Sequence, residues 1–282
     1  MSTVGQPERA TQNRVISLLT SKALGYSYLG NWLERENNRN IEEDELRKFL
    51  QSTGKYSEEV ISKALFALQK QAAMGAHDDL YTINKAVYSM LRYGIPVRVD
   101  TMSDFQTVRF IDWDNPLRNS FSIAEEVTII GARERRPDIV LYINGIAIAV
   151  LELKRASVSA SEGIRQSISN QSHLFNRQFF TTVQLILAGN DSNGLYYGTT
   201  QTEEKYFLKW KEETDSYDQE VLLLDKHILQ FCGKSRILDL MHNFVIFDSG
   251  VKKLCRPNQY FGVKAAQDFI RRKEGGIIWH TQ

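Results

Sequence analysis

Two runs of apolar, largely β-branched residues, Ile139–Ile143 and Ile146–Leu153, stand either side of Asn144-Gly145. Asn-Gly accepts the positive φ that a two-residue hairpin turn demands at both central positions, so the pattern predicts two antiparallel strands closed there. Neither run alternates with polar residues, which places the hairpin inside the protein rather than on its surface. Ahead of it, the periodicity predicts an amphipathic helix over 7–24, a turn over Gly25–Gly30, and helices at Glu42–Ser52, Glu58–Ala72 and Asp78–Tyr93. Leu80, Ile83, Val87, Met90 and Leu91 share one face of the last helix, and Gly94-Ile95-Pro96 stops it. Short strands are expected at Val97–Val99, Thr107–Asp112 and Ser120–Thr128. After the hairpin come a helix over Ser159–Gln178, capped by Ser159 or Ser161, with Ile164, Ile168, Leu174 and Phe175 inward. Strands follow at Thr182–Ala188, Leu195–Thr199 and, at an edge, Tyr206–Trp210. Asp215–Gln219 reads as a polar insertion, Val221–Leu229, Ser235–Asn243 and Phe261–Arg272 as helices, and Ile277–Trp279 as a short buried strand. This order predicts an α/β fold: a mixed sheet of roughly five to seven strands with helices on both sides, preceded by a helical cap over residues 1–75.

Composition narrows the class. The 282 residues are 42% hydrophobic and 24% charged, with a net charge of +1. These are ordinary globular values, and they supply no overall basic field, so any contact with nucleic acid must come from a local patch. Cys232 and Cys255 lack metal-site or disulfide spacing and read as reduced thiols. The sequence has neither a signal-peptide core nor an apolar run of membrane length, which points to a soluble, cytoplasmic protein with no membrane partner.

The hairpin also concentrates charge. Closing it returns the second strand to the start of the first, so Asp138 lies near Glu152 and Lys154, which are two residues apart and project from one face. Two carboxylates in apolar surroundings are costly unless a cation joins them. With the carbonyl of Leu153 and waters they form a hard-oxygen site suited to Mg²⁺. A lysine beside that ion can orient or help deprotonate a water and stabilise charge on a phosphate. The plainer reading, a surface hairpin bearing a Glu/Lys pair, conflicts with the apolar strands. Arg133, Arg135 and Arg136 arrive in the loop directly before Asp138, and Arg155 follows Lys154; they are either solvated charges or contacts to a phosphodiester backbone. Glu8 either reaches the same site or complements the dipole of the first helix.

Pro137-Asp138 and Glu152-Leu153-Lys154, joined by the hairpin, resemble the PD-(D/E)xK nuclease superfamily. Glu152-Leu-Lys-Arg155, the stretch Glu162-Gly-Ile-Arg-Gln166, and the later Arg256-Pro-Asn-Gln-Tyr260 narrow the resemblance to the R subunit of type I restriction-modification enzymes. It covers nearly the whole chain and is specific around residues 125–200 and 245–282. The resemblance implies a type I site-specific deoxyribonuclease acting on double-stranded DNA, with Asp138 and Glu152 holding Mg²⁺, Lys154 supporting the attack and Gln166 assisting. Gln166 matches the first position of a glutamine-led motif. Asn170 and Gln171 stand where a tyrosine often completes that motif, so its second half departs. The resemblance further implies that a nuclease core (76–245) is joined through residues 246–282 to an ATP-driven DNA translocase. No Gly-x-x-x-x-Gly-Lys-Ser/Thr occurs, so the chain is expected to stop short of that motor. Gln259 would recognise the adenine edge of ATP in the full-length protein, or with Tyr260 only cap a helix. Methyltransferase and specificity subunits would be partners, with S-adenosylmethionine bound to them. The alternatives are another PD-(D/E)xK nuclease, of repair or mobile elements, and a DNA-binding or assembly module that has lost cleavage. The motor-like tail argues against the first and the intact Asp138, Glu152 and Lys154 against the second.

Overall fold

The computed structural model describes residues 6–279 apart from 76, 103, 132, 173–175 and 213–220. The chain runs α1 (Gln6–Thr20), β1 (Ser27–Asn31), α2 (Glu43–Ser52), α3 (Glu58–Ala72), α4 (Leu80–Tyr93), β2 (Ile95–Val97), β3 (Gln106–Val108), β4 (Phe121–Glu125), β5 (Ile139–Ile143) and β6 (Ile146–Leu153). It continues through α5 (Ala160–Asn170), β7 (Leu185–Asn190), β8 (Gly194–Gly198), β9 (Leu208–Lys209), α6 (Leu223–Phe231), α7 (Lys234–Asn243), β10 (Val245–Asp248), β11 (Val251–Leu254) and α8 (Pro257–Arg271). A seven-stranded sheet in the order β1-β4-β5-β6-β7-β8-β9 forms the centre, with β6 in its middle. The pairs β1–β4 and β6–β7 are parallel and the others antiparallel. One end of the sheet therefore gathers the C-terminal ends of β1, β4, β6 and β7 and the start of β5.

The central hairpin has the expected boundaries, and its turn residues Asn144 and Gly145 take φ of 52° and 79°. Its register holds a feature that the sequence reading did not contain. Near the turn Tyr142 opposes Ala147, but one pair further Leu141 opposes Ala149, so β6 carries one extra residue. Ile148 and Ala149 both fall on the face packed beneath α1–α4, α6 and α7, whereas Ala147 and Val150 face the α5 side. Cross-strand partners in an antiparallel pair share a face, and a bulge shifts that partnership by one. Beyond the bulge Ile139 opposes Leu151, and continuing that register sets Asp138 opposite Glu152. A plain two-residue hairpin would set Asp138 opposite Leu151 and send Glu152 to the other face.

Helices cover both faces of the sheet, as predicted for the mixed α/β class, but several local expectations are corrected. Residues expected to turn at Gly25–Gly30 instead supply β1, an edge strand parallel to β4 with an irregular register at Gly30. The helical stretch 1–75 is thus tied into the sheet through β1. The leading strand expected at Val97–Val99 lies earlier, as β2, and pairs with β3 in a separate two-stranded ribbon. The helix expected to run to Gln178 ends at Asn170, and a 3₁₀ turn occupies Arg177–Thr181. Leu174, Phe175 and the insertion Asp215–Gln219 lie outside the described residues. Ile277–Trp279 is no buried strand: these residues are unpaired, and Trp279 is 83% exposed. A strand needs a neighbour for its backbone groups, and among the described residues none adjoins this one.

Candidate active site

Asp138 stands just before β5, and its Oδ2 accepts the N–H of Leu153 at 2.6 Å. The N–H of Lys154 donates to the other neighbour, the carbonyl of Gly189, at 3.0 Å. The N–H and C=O of one strand residue point to the same side. The carbonyl of Leu153 is therefore directed to the Asp138 side of β6. Glu152 is fully buried; its Oε1 accepts from Asn170 Nδ2 at 3.0 Å, and its Oε2 has no partner. Lys154 alternates back to the face of Glu152, and its Nζ lies 3.2 Å from Glu8 Oε1. Asp138, Lys154 and Glu8 border an open cleft that Gln166, Arg135 and Arg136 also line, with Glu152 buried behind them.

Helix α1 contributes more than the sequence suggested. Glu8 in its first turn reaches Lys154, and Gln12, one turn later, donates to Glu125 and to the carbonyl of Asp138, each at 3.2 Å. Arg9 pairs with Glu125 at 2.9 Å, and the Tyr28 hydroxyl donates to the same carboxylate at 2.7 Å. This network buttresses the strand ends around Asp138. The arginines divide: Arg136 pairs with Glu126 at 3.0 Å, and the Arg135 backbone bridges to Ile129 across the loop. Arg133 is exposed and Arg155 half-buried, and neither borders the cleft. Gln259 is remote from it; its Oε1 accepts the Arg256 N–H at 2.8 Å, the helix-capping arrangement.

Burial drives the electrostatics. It pushes the Asp138 carboxyl up to about 6; the Leu153 amide and Lys154 pull down only in part, while Glu126 and Glu8 push further up. Burial and then the Asp138 charge hold Glu152 well above the ordinary carboxylate range, against the pull of Lys154 and Asn170. Burial would lower Lys154, but Asp138, Glu152 and Glu8 outweigh it, and the ammonium stays protonated. Two carboxylates that resist ionisation, one with an oxygen buried and unpartnered, form a site short of positive charge. No cluster of three or more His, Cys, Asp and Glu side chains able to hold a metal occurs among the described residues. The donor set that fits a divalent cation is Asp138, Glu152 and the Leu153 carbonyl, an all-oxygen set of the kind Mg²⁺ prefers.

Asn170 is the residue that sequence reasoning passed over. By motif it is only a departure from the expected tyrosine, yet it lies four residues after Gln166, one turn along the same helix face. That spacing was the available signal.

A family profile described as "Type I restriction enzyme R protein N terminus" matches residues 5–205. The chain is 28% identical over 265 residues to a Methanocaldococcus jannaschii protein named "Putative type I restriction enzyme MjaVIIIP endonuclease subunit", covering 86% of this chain and 24% of that protein. It is 25% identical over 254 residues to the type I restriction enzyme HindI endonuclease subunit of Haemophilus influenzae, covering 81% of this chain and 24% of that protein. The chain thus spans about a quarter of the length of these curated relatives.

Proposed function

The chain belongs to the family of type I restriction enzyme R protein N termini, and from that premise we propose that its cleft hydrolyses phosphodiester bonds of double-stranded DNA with the help of Mg²⁺. The observation that carries this reading is the meeting of Asp138, Glu152 and Lys154 on one face at one sheet end, with both carboxylates starved of positive charge. Asp138, Glu152 and the Leu153 carbonyl would hold the ion. When bound, Mg²⁺ supplies a more acidic water and a counter-charge for the phosphate.

The chain's own residues do the rest. Lys154, protonated, acts as a hydrogen-bond donor and counter-charge to the phosphate as negative charge develops, rather than as a proton acceptor. Glu8 holds that ammonium in the cleft until substrate competes for it. Gln166 offers an amide from α5 to a phosphate oxygen or to Lys154. Arg135 and Arg136 at the rim, with Arg133 and Arg155 further out, contact the DNA backbone without reading sequence. In the full-length protein this reading couples cleavage to ATP-driven translocation, with residues 246–282 leading to the motor and Gln259 exchanging its capping role for adenine recognition. Methyltransferase and specificity subunits, carrying S-adenosylmethionine, complete a cytoplasmic complex. Among the described residues no helix is long and apolar enough to cross a membrane.

The test is Lys154→Ala in the full-length protein, comparing cleavage of circular DNA with ATP turnover in one preparation. Cleavage should fall by on the order of 10²–10³ or more, since the group acts chiefly in the transition state, while ATP turnover persists. A variant that cuts as well as its parent would make Lys154 a structural residue and remove this reading.

A further inference from the structure

We propose that Asn170 is a positioning residue that makes Glu152 a one-oxygen ligand and thereby sets which cation the site accepts; this rests on the nuclease reading above. Glu152 is 0% exposed and Asn170 2%. The 3.0 Å bond between them runs from Asn170 Nδ2 to Glu152 Oε1. Ionised on a cation, Glu152 only accepts, so the amide presents its NH₂ group there. That leaves Oε2 as the free oxygen of Glu152, and it is the one buried without a partner.

Helix α5 is seated to make this bond. Gly163, two turns before Asn170, lies over Ala188 and Glu152: an added Cβ would be in ordinary contact with their Cβ atoms at 3.4 and 3.5 Å. Helix backbone therefore comes within reach of the strand, and the short Asn170 side chain spans what is left.

Asp138 is treated in the same way. Its Oδ2 is committed to the Leu153 N–H at 2.6 Å, which leaves one oxygen for a cation. Each carboxylate thus has one oxygen pinned by a protein donor and offers the other. Two single oxygens and one backbone carbonyl fill about half of an octahedron, leaving the rest for water and phosphate. Mg²⁺, and Mn²⁺ with the same oxygen preference, suit such a site. Ca²⁺ prefers about six to eight oxygens and often takes both oxygens of a carboxylate, a mode that a hydrogen bond already held by one of them disfavours. Without Asn170, Glu152 is free to turn and offer both.

The experiment is calorimetric titration of the 282-residue protein with Mg²⁺, Mn²⁺ and Ca²⁺, using the parent, Asn170→Ala, Glu152→Gln and the double variant. Loss of an outer group that orients a metal ligand typically costs about 10- to 100-fold in affinity. Asn170→Ala should weaken Mg²⁺ and Mn²⁺ by about that factor and Ca²⁺ by much less, so the preference for the smaller ions shrinks. Added to Glu152→Gln, the same change should have little further effect, because Asn170 acts through Glu152. An unchanged preference, or an equal loss in both backgrounds, would overturn the proposal while leaving the nuclease reading in place. A parent that binds none of the three ions would overturn both. Thermal melts check the fold. Should Asn170→Ala fail to fold, Asn170→Ser, whose hydroxyl is too short to make the bond, carries the same expectation. Failure of both to fold would mark Asn170 as structural and end the proposal.

Discussion

Asp138→Asn should stabilise the metal-free protein at alkaline pH. The ordinary aspartate pKa is about 3.9, and burial raises that of Asp138 to about 6 in the folded chain. A carboxyl whose folded pKa lies above its unfolded one favours the fold when protonated, so its contribution is lost as pH rises from about 4 to about 6. Two pKa units correspond to on the order of 3 kcal/mol, all of it missing at about pH 8. Asparagine has the same shape, keeps an oxygen for the Leu153 N–H, and cannot ionise. The attraction of Lys154 that it gives up is already inside the net shift. For a chain of this size a kilocalorie moves Tm by roughly 2–4 °C, so the variant should melt about 5–10 °C above its parent at about pH 8 in chelator. At about pH 4.5 the gap should shrink to roughly a third, since the parent carboxyl is then protonated in the fold but still mostly ionised in the unfolded chain. The readout is circular-dichroism melting at both pH values; taking the difference between variant and parent cancels other titrating groups. Adding Mg²⁺ at the higher pH should reverse the order, because ligand binding stabilises only a protein that can bind it. A variant with an equal or lower Tm than the parent in chelator at about pH 8 would refute the argument that burial, rather than the Lys154 partnership, governs this site.

Two further outcomes concern the scaffold. His227 accepts the Leu195 N–H through Nδ1 at 3.1 Å, and burial, with Lys209 and Lys226, holds its pKa down to about 4. Its stabilisation is full above about pH 6.5 and lost as pH falls toward 4, so His227→Gln should flatten the parent's decline in urea midpoint over that range. Gly145 has φ +79°, and a Cβ there would meet the Glu42 carbonyl at 2.6 Å, whereas Gly250 has φ +84° and open space. Gly250→Ala should cost about 1–2 kcal/mol of backbone strain. Gly145→Ala should cost clearly more, because α2 sits on the turn; equal urea midpoints would show that this packing is soft.

What the sequence made legible was the chemistry carried by each strand end, and what it hid was the face on which that chemistry emerges. Asn144-Gly145 and the two apolar runs located the hairpin, because turn dihedrals and burial are local matters. The extra residue in β6 left no trace. Ile146 to Leu151 is apolar at every position, both faces are buried, and alternation therefore carries no register. The same logic explains β1, whose Ser27-Tyr-Leu-Gly-Asn31 has a glycine and a half-exposed tyrosine where strand patterning would show, since an edge strand is only partly covered. Ile277–Trp279 fails in the opposite sense: apolar content records what a segment would prefer to bury, and only a partner decides whether it does. Asn170 was hidden because a helix residue becomes functional through what it faces across the fold, here a carboxylate 18 residues earlier in the chain. The bulge matters most. Pairing the same residues without the bulge would keep every predicted strand and every motif residue, yet it would carry Glu152 to the face packed beneath α1 and away from Asp138. Motif spacing alone therefore does not make this site; the motif and one inserted residue make it together.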